Sequence, residues 1–417
     1  MPAPPVVRAS CPVPLFKQLR VLSQRYWAVS FWLLAGTCVP AQEDAAVLRQ
    51  QAAAERLWQG FLTMYQRVSL EPLTPQTLDL KGREALLAVA GPSYRDWKAE
   101  RAATLPDLFK AVRKADPTLK PFELMERLLG GLLPKIDRYG RYESVEEIEL
   151  LDEAARQAKG VFAINLVIDE KKVLRCFPDP DGPAAKAGVL AGAELLEVDG
   201  VAVAQKSLAF VKMAFAGSKS VEVKVRQPQG RQESIVIERT FETFPSVSLQ
   251  KSPAGVRVRI RTFDGGVADQ LRELFKANQP IDRLTLDLRG NGGGLIQEAF
   301  AVAELFLPKG AVIAYVRGRD GDKTQVAATD PVVTPGSIQI LLDHGTASAS
   351  ELLAMGLKEN LTTRVVLRGQ QSYGKGQRLS RDSLEGGGML TLSDGLMLSP
   401  AKKSWDHTGI TPDVEMK

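Results

Sequence analysis

Three short segments of this 417-residue chain bring small residues, hydroxyls and one amine together in patterns that could do chemistry. Leu286-Asp-Leu-Arg-Gly-Asn-Gly-Gly-Gly294 reads as a buried strand ending in a glycine-rich turn that leads into a helix. Glycines let main-chain N–H groups approach a ligand closely, and a helix start favours negative charge. A phosphate loop would need Gly-Lys-Ser/Thr after four spacers, and a dinucleotide fingerprint would need glycine where Leu295 stands. An oxyanion hole fits the segment better. His344-Gly-Thr-Ala-Ser-Ala-Ser-Glu351 sets hydroxyls at a strand-to-helix junction, with Ser348 as candidate nucleophile. Ser348 with Glu351 also spells Ser-x-x-Glu, the signature of a helix capping box. A serine needs a base. His344 and His407 are the two histidines, so a Ser–His–Asp triad could run through either. A lysine serves as well if burial favours its neutral form, and Ser372-Tyr-Gly-Lys-Gly376 offers Lys375, which could equally be an exposed turn residue.

The elements that must position these groups follow from periodicity. Over 246–417 strand and helix alternate: strands at 257–262, 284–288, 338–342 and 364–367, helices at 266–277, 295–306 and 350–358. Such alternation predicts an α/β core. Residues 157–241 instead read as short strands with turn clusters at Asp179-Pro-Asp-Gly-Pro183 and Asp199-Gly200, and a helix near 206–216. Residues 44–155 read as mostly helical, with one helix over 122–133 broken by Gly130-Gly131 and stopped by Pro134.

Composition excludes some classes. Hydrophobic residues at 44% and charged residues at 25% describe a folded chain rather than a disordered one. The formal charge is +5, but residues 1–41 carry Arg8, Lys17, Arg20 and Arg25 with no acid, and taking those four away leaves +1. That is no nucleic-acid footprint. The same stretch reads as an export signal: a basic region, the apolar run Trp27–Ala35, and Val39-Pro-Ala41 for cleavage. An uncleaved anchor is the rival reading, and Cys38 hints at lipid attachment although Thr37 fits that poorly. A mature chain would keep only Cys176, so neither a disulfide nor a metal cluster is expected.

Taken in order, the segments resemble the C-terminal processing (tail-specific) proteases, Ser–Lys dyad serine proteases with a PDZ domain. That family's pattern joins a Leu-Asp-Leu-Arg-x-Asn-x-Gly-Gly turn, a Ser-Ala-Ser-Ala-Ser-Glu segment and a Phe/Tyr-Gly-Lys-Gly base. Here stand Thr346-Ala-Ser-Ala-Ser-Glu351, Tyr373-Gly-Lys-Gly376, the closing Gly409-Ile-Thr-Pro-Asp-Val414 and the upstream Leu133-Pro-Lys-Ile-Asp-Arg-Tyr-Gly-Arg-Tyr142. Gly182–Gly192 and Leu195-Leu-Glu-Val-Asp-Gly200 resemble the family's PDZ unit.

Beside the signal peptide read at 1–41 and the helical region at 42–155, the resemblance, which covers roughly 120–417, implies a PDZ domain at 156–241 and a peptidase core of the ClpP/crotonase-like β-α superhelix type at 242–417. It implies Ser348 as nucleophile, Lys375 as general base, and the N–H of Ala349 with that of Gly292 or Gly293 as oxyanion hole. Gly160-Val161-Phe162-Ala163 would form the loop that catches a substrate's terminal carboxylate while its tail adds a strand. Val161 and Phe162 could instead be core. The family's glutamine four residues after the base is Leu379 here, with Gln377 nearby, and Glu359 replaces an aspartate. The expectation is an endopeptidase, periplasmic or secreted, without cofactor, whose partners are protein tails, a second copy or an adaptor. An inactive PDZ scaffold is the alternative.

Overall fold

The computed structural model describes residues 45–416 except 95, 99–101, 158–160, 169–172, 205–207, 217–218 and 243. The signal segment read over 1–41, and Gly160, lie outside the described residues. The chain divides into two compact units, one of residues 45–60 with Thr74–Leu132, the other of Phe61–Leu73 with Leu133–Lys417.

The first unit is helical. It holds most of α1 (Ala45–Val68), then α2 (Pro75–Ala90), α3 (Leu105–Ala115) and most of α4 (Pro121–Ile136). Thr74 and Thr104 cap α2 and α3 by accepting the N–H of Thr77 and Asp107, each with proline in the first turn. The expected break at Gly130-Gly131 does not occur, for α4 runs on through Pro134. The glycines serve packing instead: a Cβ on Gly131 would lie 2.8 Å from Val89 Cγ1, so α2 and α4 approach closely there.

In the second unit β1 (Arg141–Glu143) and α5 (Val145–Gln157) precede a small antiparallel sheet. Its strands are β2 (Ile164–Ile168), β3 (Leu174–Pro178), β4 (Ala193–Val198), β5 (Val201–Ala202), β6 (Ser220–Arg226) and β7 (Gln232–Glu238), ordered β2-β3-β4-β6-β7 with β5 on β4. The short α6 (Pro183–Lys186) and α7 (Leu208–Ala216) accompany it. Alternation does the sorting: Val221, Val223 and Val225 of β6 point into a core with Cys176, Leu195 and Ile237. Asp199-Gly200, both at positive φ, turns β4 into β5.

The larger sheet positions the chemistry. Its strands are β8 (Val247–Ser252), β9 (Gly255–Ile260), β10 (Arg283–Asp287), β13 (Ser337–Leu342), β14 (Val365–Gly369) and β17 (Val414–Glu415), with β11 (Val312–Gly318) and β12 (Gly321–Val326) leaving between β10 and β13. The order is β17-β14-β13-β10-β9-β8, parallel throughout except at β8. Helices α8 (Val267–Ala277), α9 (Ile296–Glu304) and α10 (Ala349–Asn360) connect successive strands, and Phe263, Leu271, Phe275, Leu286, Ile340 and Leu353 share one core. Each such buried side chain stabilises the fold by about 1.5–3 kcal/mol. A third, antiparallel sheet combines β11 and β12 with β15 (Gln377–Ser383) and β16 (Met389–Leu398).

β1 joins this third sheet by pairing with β16, and Ser393 of β16 donates to Asp137 from both its N–H and its hydroxyl. Residues 133–157 therefore fold with the second unit. A three-residue strand leaves almost no sequence signal.

Candidate active site

Parallel neighbours end at the same edge of their sheet. Asp287 of β10 sits opposite Leu341 of β13, and Leu342 opposite Gly369 of β14. The loops that follow these strands carry the three segments with chemical potential, so they meet at one edge.

The first two loops are tied together by buried polar groups. Asp343 accepts the N–H of Gly290 at 2.8 Å and of Gly345 at 2.9 Å, and burial pushes its carboxyl up while those bonds pull it down. Asn291 O accepts the Ala347 N–H and the Ser350 hydroxyl, each at 3.0 Å. Thr346 Oγ1 donates to Leu288 O at 3.0 Å. Behind them, Asp287 is held by Arg257, Arg259 and Arg289. Burial alone would raise this carboxyl, yet the Arg289 hydrogen bond and the surrounding guanidiniums hold it at about 2.

These bonds sort the hydroxyls of the second loop. Thr346 and Ser350 are fully buried and committed to main-chain carbonyls, whereas Ser348 is only half-buried. Ser348 caps α10 at φ +58, a left-handed conformation that costs a non-glycine residue about 1–3 kcal/mol and persists only when surroundings impose it. Its N–H donates to the Glu351 carboxylate in the manner of a capping box, so helix start and candidate nucleophile coincide. Ala349 opens the helix, and its N–H therefore has no intrahelical acceptor.

Gly293, at φ +104, presses directly on this residue pair. A Cβ there would lie 2.9 Å from both Ala347 O and Ser348 Cβ, and 3.1 Å from Ala349 N. Its N–H donates to Asn291 Oδ1 at 2.9 Å. Of the two expected glycine donors, Gly292 is thus the one whose N–H is not spent in this way.

The third loop brings Lys375. Its N–H donates to Glu351 Oε2 at 2.9 Å, the oxygen that also accepts the Ser348 N–H at 2.8 Å. The side chain is half-buried, with Nζ 5.4 Å from the centroid of the Tyr139 ring. Burial lowers its pKa below the ordinary lysine value, the Arg141 charge adds to this, and Glu351 opposes it. Lys375 is therefore not the solvent-facing turn residue that two flanking glycines could have meant. Tyr139 belongs to the Leu133–Tyr142 motif. Its hydroxyl reaches Gly374 O at 3.4 Å and Asp406 at 3.5 Å, and burial followed by the Asp406 charge raises its pKa.

Other expected residues fall elsewhere. Gln377 donates to Asp406 at 3.1 Å, Leu379 lies paired with Ser393 on β15, and Glu359 accepts the Ala401 N–H at 2.7 Å. His344 and His407 are exposed, and among the described residues neither imidazole hydrogen-bonds Ser348. No cluster of three or more possible metal ligands occurs among the described residues.

In the small sheet, Val161 exchanges both main-chain bonds with Thr240, at 2.8 and 3.0 Å, so its N–H is taken. Phe162 is a core side chain, edge-on to Phe215 at 5.6 Å with the Arg239 guanidinium 4.8 Å from its ring centre. Ala163 adopts φ +49. The sheet's open end lies against the three-loop site. A Cβ on Gly292 would meet Asn165 Nδ2 at 2.7 Å and one on Gly345 would meet Phe177 at 2.8 Å. Asp179 bridges Arg259 at 3.3 Å and Arg261 at 2.7 Å, and the Tyr373 hydroxyl reaches Ile168 O at 3.4 Å.

Residues 256–416 match the model of Peptidase family S41. A carboxy-terminal-processing protease of Bartonella bacilliformis is 28% identical over 337 residues, covering 76% of this chain and 75% of its own. A chloroplastic C-terminal processing peptidase of Tetradesmus obliquus is 29% identical over 266 residues, 59% of this chain and 57% of its own. Among solved structures, a photosystem II D1 C-terminal processing protease superposes with a TM-score of 0.65 at 22% identity, over 88% of this chain and 93% of that one, which speaks for a common fold. Residues 256–416 thus carry the match to peptidase family S41, and the chain is similar over about three quarters of its length to a carboxy-terminal-processing protease.

Proposed function

We propose that this protein is an exported serine endopeptidase of the C-terminal processing type, in which Lys375 activates Ser348. The observation that carries the reading is the shared carboxylate oxygen: the main-chain N–H groups of Ser348 and Lys375 both donate to Glu351 Oε2, which keeps hydroxyl and amine on adjacent backbone. In the first step the neutral Lys375 amine takes the Ser348 proton as Oγ attacks the scissile carbonyl carbon. The N–H groups of Ala349 and Gly292 stabilise the oxyanion. The C–N bond then breaks, the Lys375 ammonium protonates the departing amine, and water hydrolyses the acyl-enzyme with Lys375 again as base. The succession of β–α turns from β9 to β14 is read as a superhelix of the crotonase type.

Only the unprotonated amine can accept that proton. Because burial and Arg141 lower the Lys375 pKa, the ascending limb of kcat against pH is expected below the ordinary lysine value of 10.5. Steady-state turnover of an unfolded protein substrate from about pH 6 to 10, with single-turnover data to isolate chemistry, checks this. A flat profile with chemistry rate-limiting would remove Lys375 from the base role.

The small sheet is read as a PDZ-like unit that receives substrate tails. β2 is its edge strand, so an extended peptide has a free row of main-chain groups to pair with. Ala163, with its left-handed backbone, would face the terminal carboxylate. In fluorescence anisotropy with the Ser348→Ala protein, a tail peptide with a free C-terminus is expected to bind at least about tenfold tighter than its C-terminal amide. Equal affinities would reject the carboxylate loop. Residues 1–41 are proposed to direct export.

A further inference from the structure

We propose that Glu351 is the positioning residue of this site, its ionised carboxylate clamping the loop that bears Lys375 onto the helix start that bears Ser348, an inference that rests on the Ser–Lys reading above. Glu351 stands in the first turn of α10 and is fully buried. Its two oxygens receive four donors. Oε1 accepts the Ser372 hydroxyl at 2.5 Å and the Gly374 N–H at 2.7 Å, and Oε2 accepts the Ser348 N–H at 2.8 Å and the Lys375 N–H at 2.9 Å. A capping box needs only one of these bonds, the one to Ser348. The other three reach across to residues 372–375 and have no capping purpose.

The chemistry of the donors fixes the charge. Three of the four donors are main-chain N–H groups, which cannot act as acceptors, so a neutral carboxyl could place its proton only toward the Ser372 hydroxyl and would face two N–H donors at Oε2, an arrangement that suits the carboxylate. Burial raises the Glu351 pKa above the ordinary glutamate value, and the four hydrogen bonds oppose that rise, so it is the donor geometry that argues for the ionised form. Ser372 extends the clamp, since its Oγ also accepts the Ile410 N–H at 2.7 Å and so fastens the loop to the C-terminal segment. The site thus contains a fixed anion beside an amine that must alternate between neutral and charged forms. The anion favours the ammonium and so assists the charge that develops when Lys375 takes the serine proton, much as a buried carboxylate steadies an imidazolium in a triad. The groups facing the amine are Glu351 from α10, Arg141 from β1 and the Tyr139 ring, with Asp406 and Tyr373 around Tyr139. Of these, Glu351 is the one that raises the Lys375 pKa and Arg141 lowers it.

Glu351→Gln in the full chain tests the clamp. Whichever way the amide faces, its NH2 meets a main-chain N–H, so the loop loses its register. The expected result is a fall in kcat of about 10²-fold with KM within about twofold. It is joined by a shift of the ascending pH limb to lower pH, because Lys375 has lost the anion that favoured its charged form. A residue that merely stabilised the fold would lower the melting temperature without moving that limb. Glu351→Asp keeps the charge one methylene shorter and is expected to hold the limb in place while recovering part of kcat. Wild-type kcat in Glu351→Gln, or a lowered kcat with an unmoved limb, overturns the proposal. Should Glu351→Gln fail to fold, Ser372→Ala decides: removing one donor is expected to lower kcat by about tenfold at constant KM and constant limb, and an unchanged kcat overturns the clamp. Lys375→Met in the same assay separates the two readings. If it remains active the Ser–Lys reading fails, whereas an inactive Lys375→Met beside a fully active Glu351→Gln defeats only the clamp.

Discussion

Ser348→Ala and Lys375→Met each lower turnover by on the order of 10⁴-fold or more while leaving the fold intact. The size follows from the interdependence of the pair. In the proposed mechanism no acyl-enzyme forms without the hydroxyl and the hydroxyl keeps its proton without the amine, so the double variant is expected to be no worse than either single one. The stability side is equally specific. Ser348 has its N–H rather than its hydroxyl on Glu351 Oε2, and Lys375 is anchored by its N–H and its carbonyl, which accepts from Trp405 Nε1 at 3.3 Å. The main-chain bonds survive both substitutions, and methionine retains the apolar stem against Tyr139. Thermal unfolding is expected to shift by no more than a few degrees. His344→Ala and His407→Asn, by contrast, keep their turnover. Activity that survives Lys375→Met but disappears with either histidine would transfer the base role to imidazole, and hydrolysis in none of the proteins, wild type included, would favour the scaffold alternative.

Gly293→Ala is the second large effect. At φ +104 an alanine is strained, and its Cβ would stand 2.9 Å from Ala347 O and Ser348 Cβ. These are backbone and the first side-chain carbon, neither of which can rotate away, so Ser348 itself must move. Backbone strain of this kind costs about 1–3 kcal/mol of stability. A displacement of a few tenths of an ångström to one ångström at Ser348 is expected to lower kcat by about 10²-fold. Gly230→Ala isolates the steric part. Gly230 has φ +91 but nothing within 4 Å of a Cβ, so it should lose stability and keep its kcat. Equal kcat in the two variants would show that Gly293 does not support Ser348.

Most of the architecture could be read from local pattern because the large sheet alternates strand and helix. The strand expected at 284–288 is β10, the helix at 266–277 is α8, and the junction at 344–351 leads into α10. Strands β11, β12, β15 and β16 were not anticipated. The helix break at Gly130 failed because those glycines answer to a neighbouring helix, which a single sequence does not display. The site was legible to the extent that its parts are local. Ser348 and Glu351 are three residues apart, and their capping box is visible in the letters. What Glu351 does for Ser372, Gly374 and Lys375 depends on β13 and β14 being parallel neighbours, which spacing alone does not specify. Lys375 could be singled out only by resemblance, since a glycine-flanked lysine has no intrinsic sign of burial. Tyr139, more than 200 residues from Lys375 in sequence, gave no local signal of its role.

The pairing of Ser348 with Lys375 is tested most directly by covalent trapping of the intact protein. A fluorophosphonate that phosphorylates activated serines, followed by peptide mapping, is expected to place one adduct on Ser348, at a rate that rises with pH. In Lys375→Met that adduct should form at least about 10³-fold more slowly. An adduct on another residue, or labelling of Ser348 at the same rate without Lys375, contradicts the account.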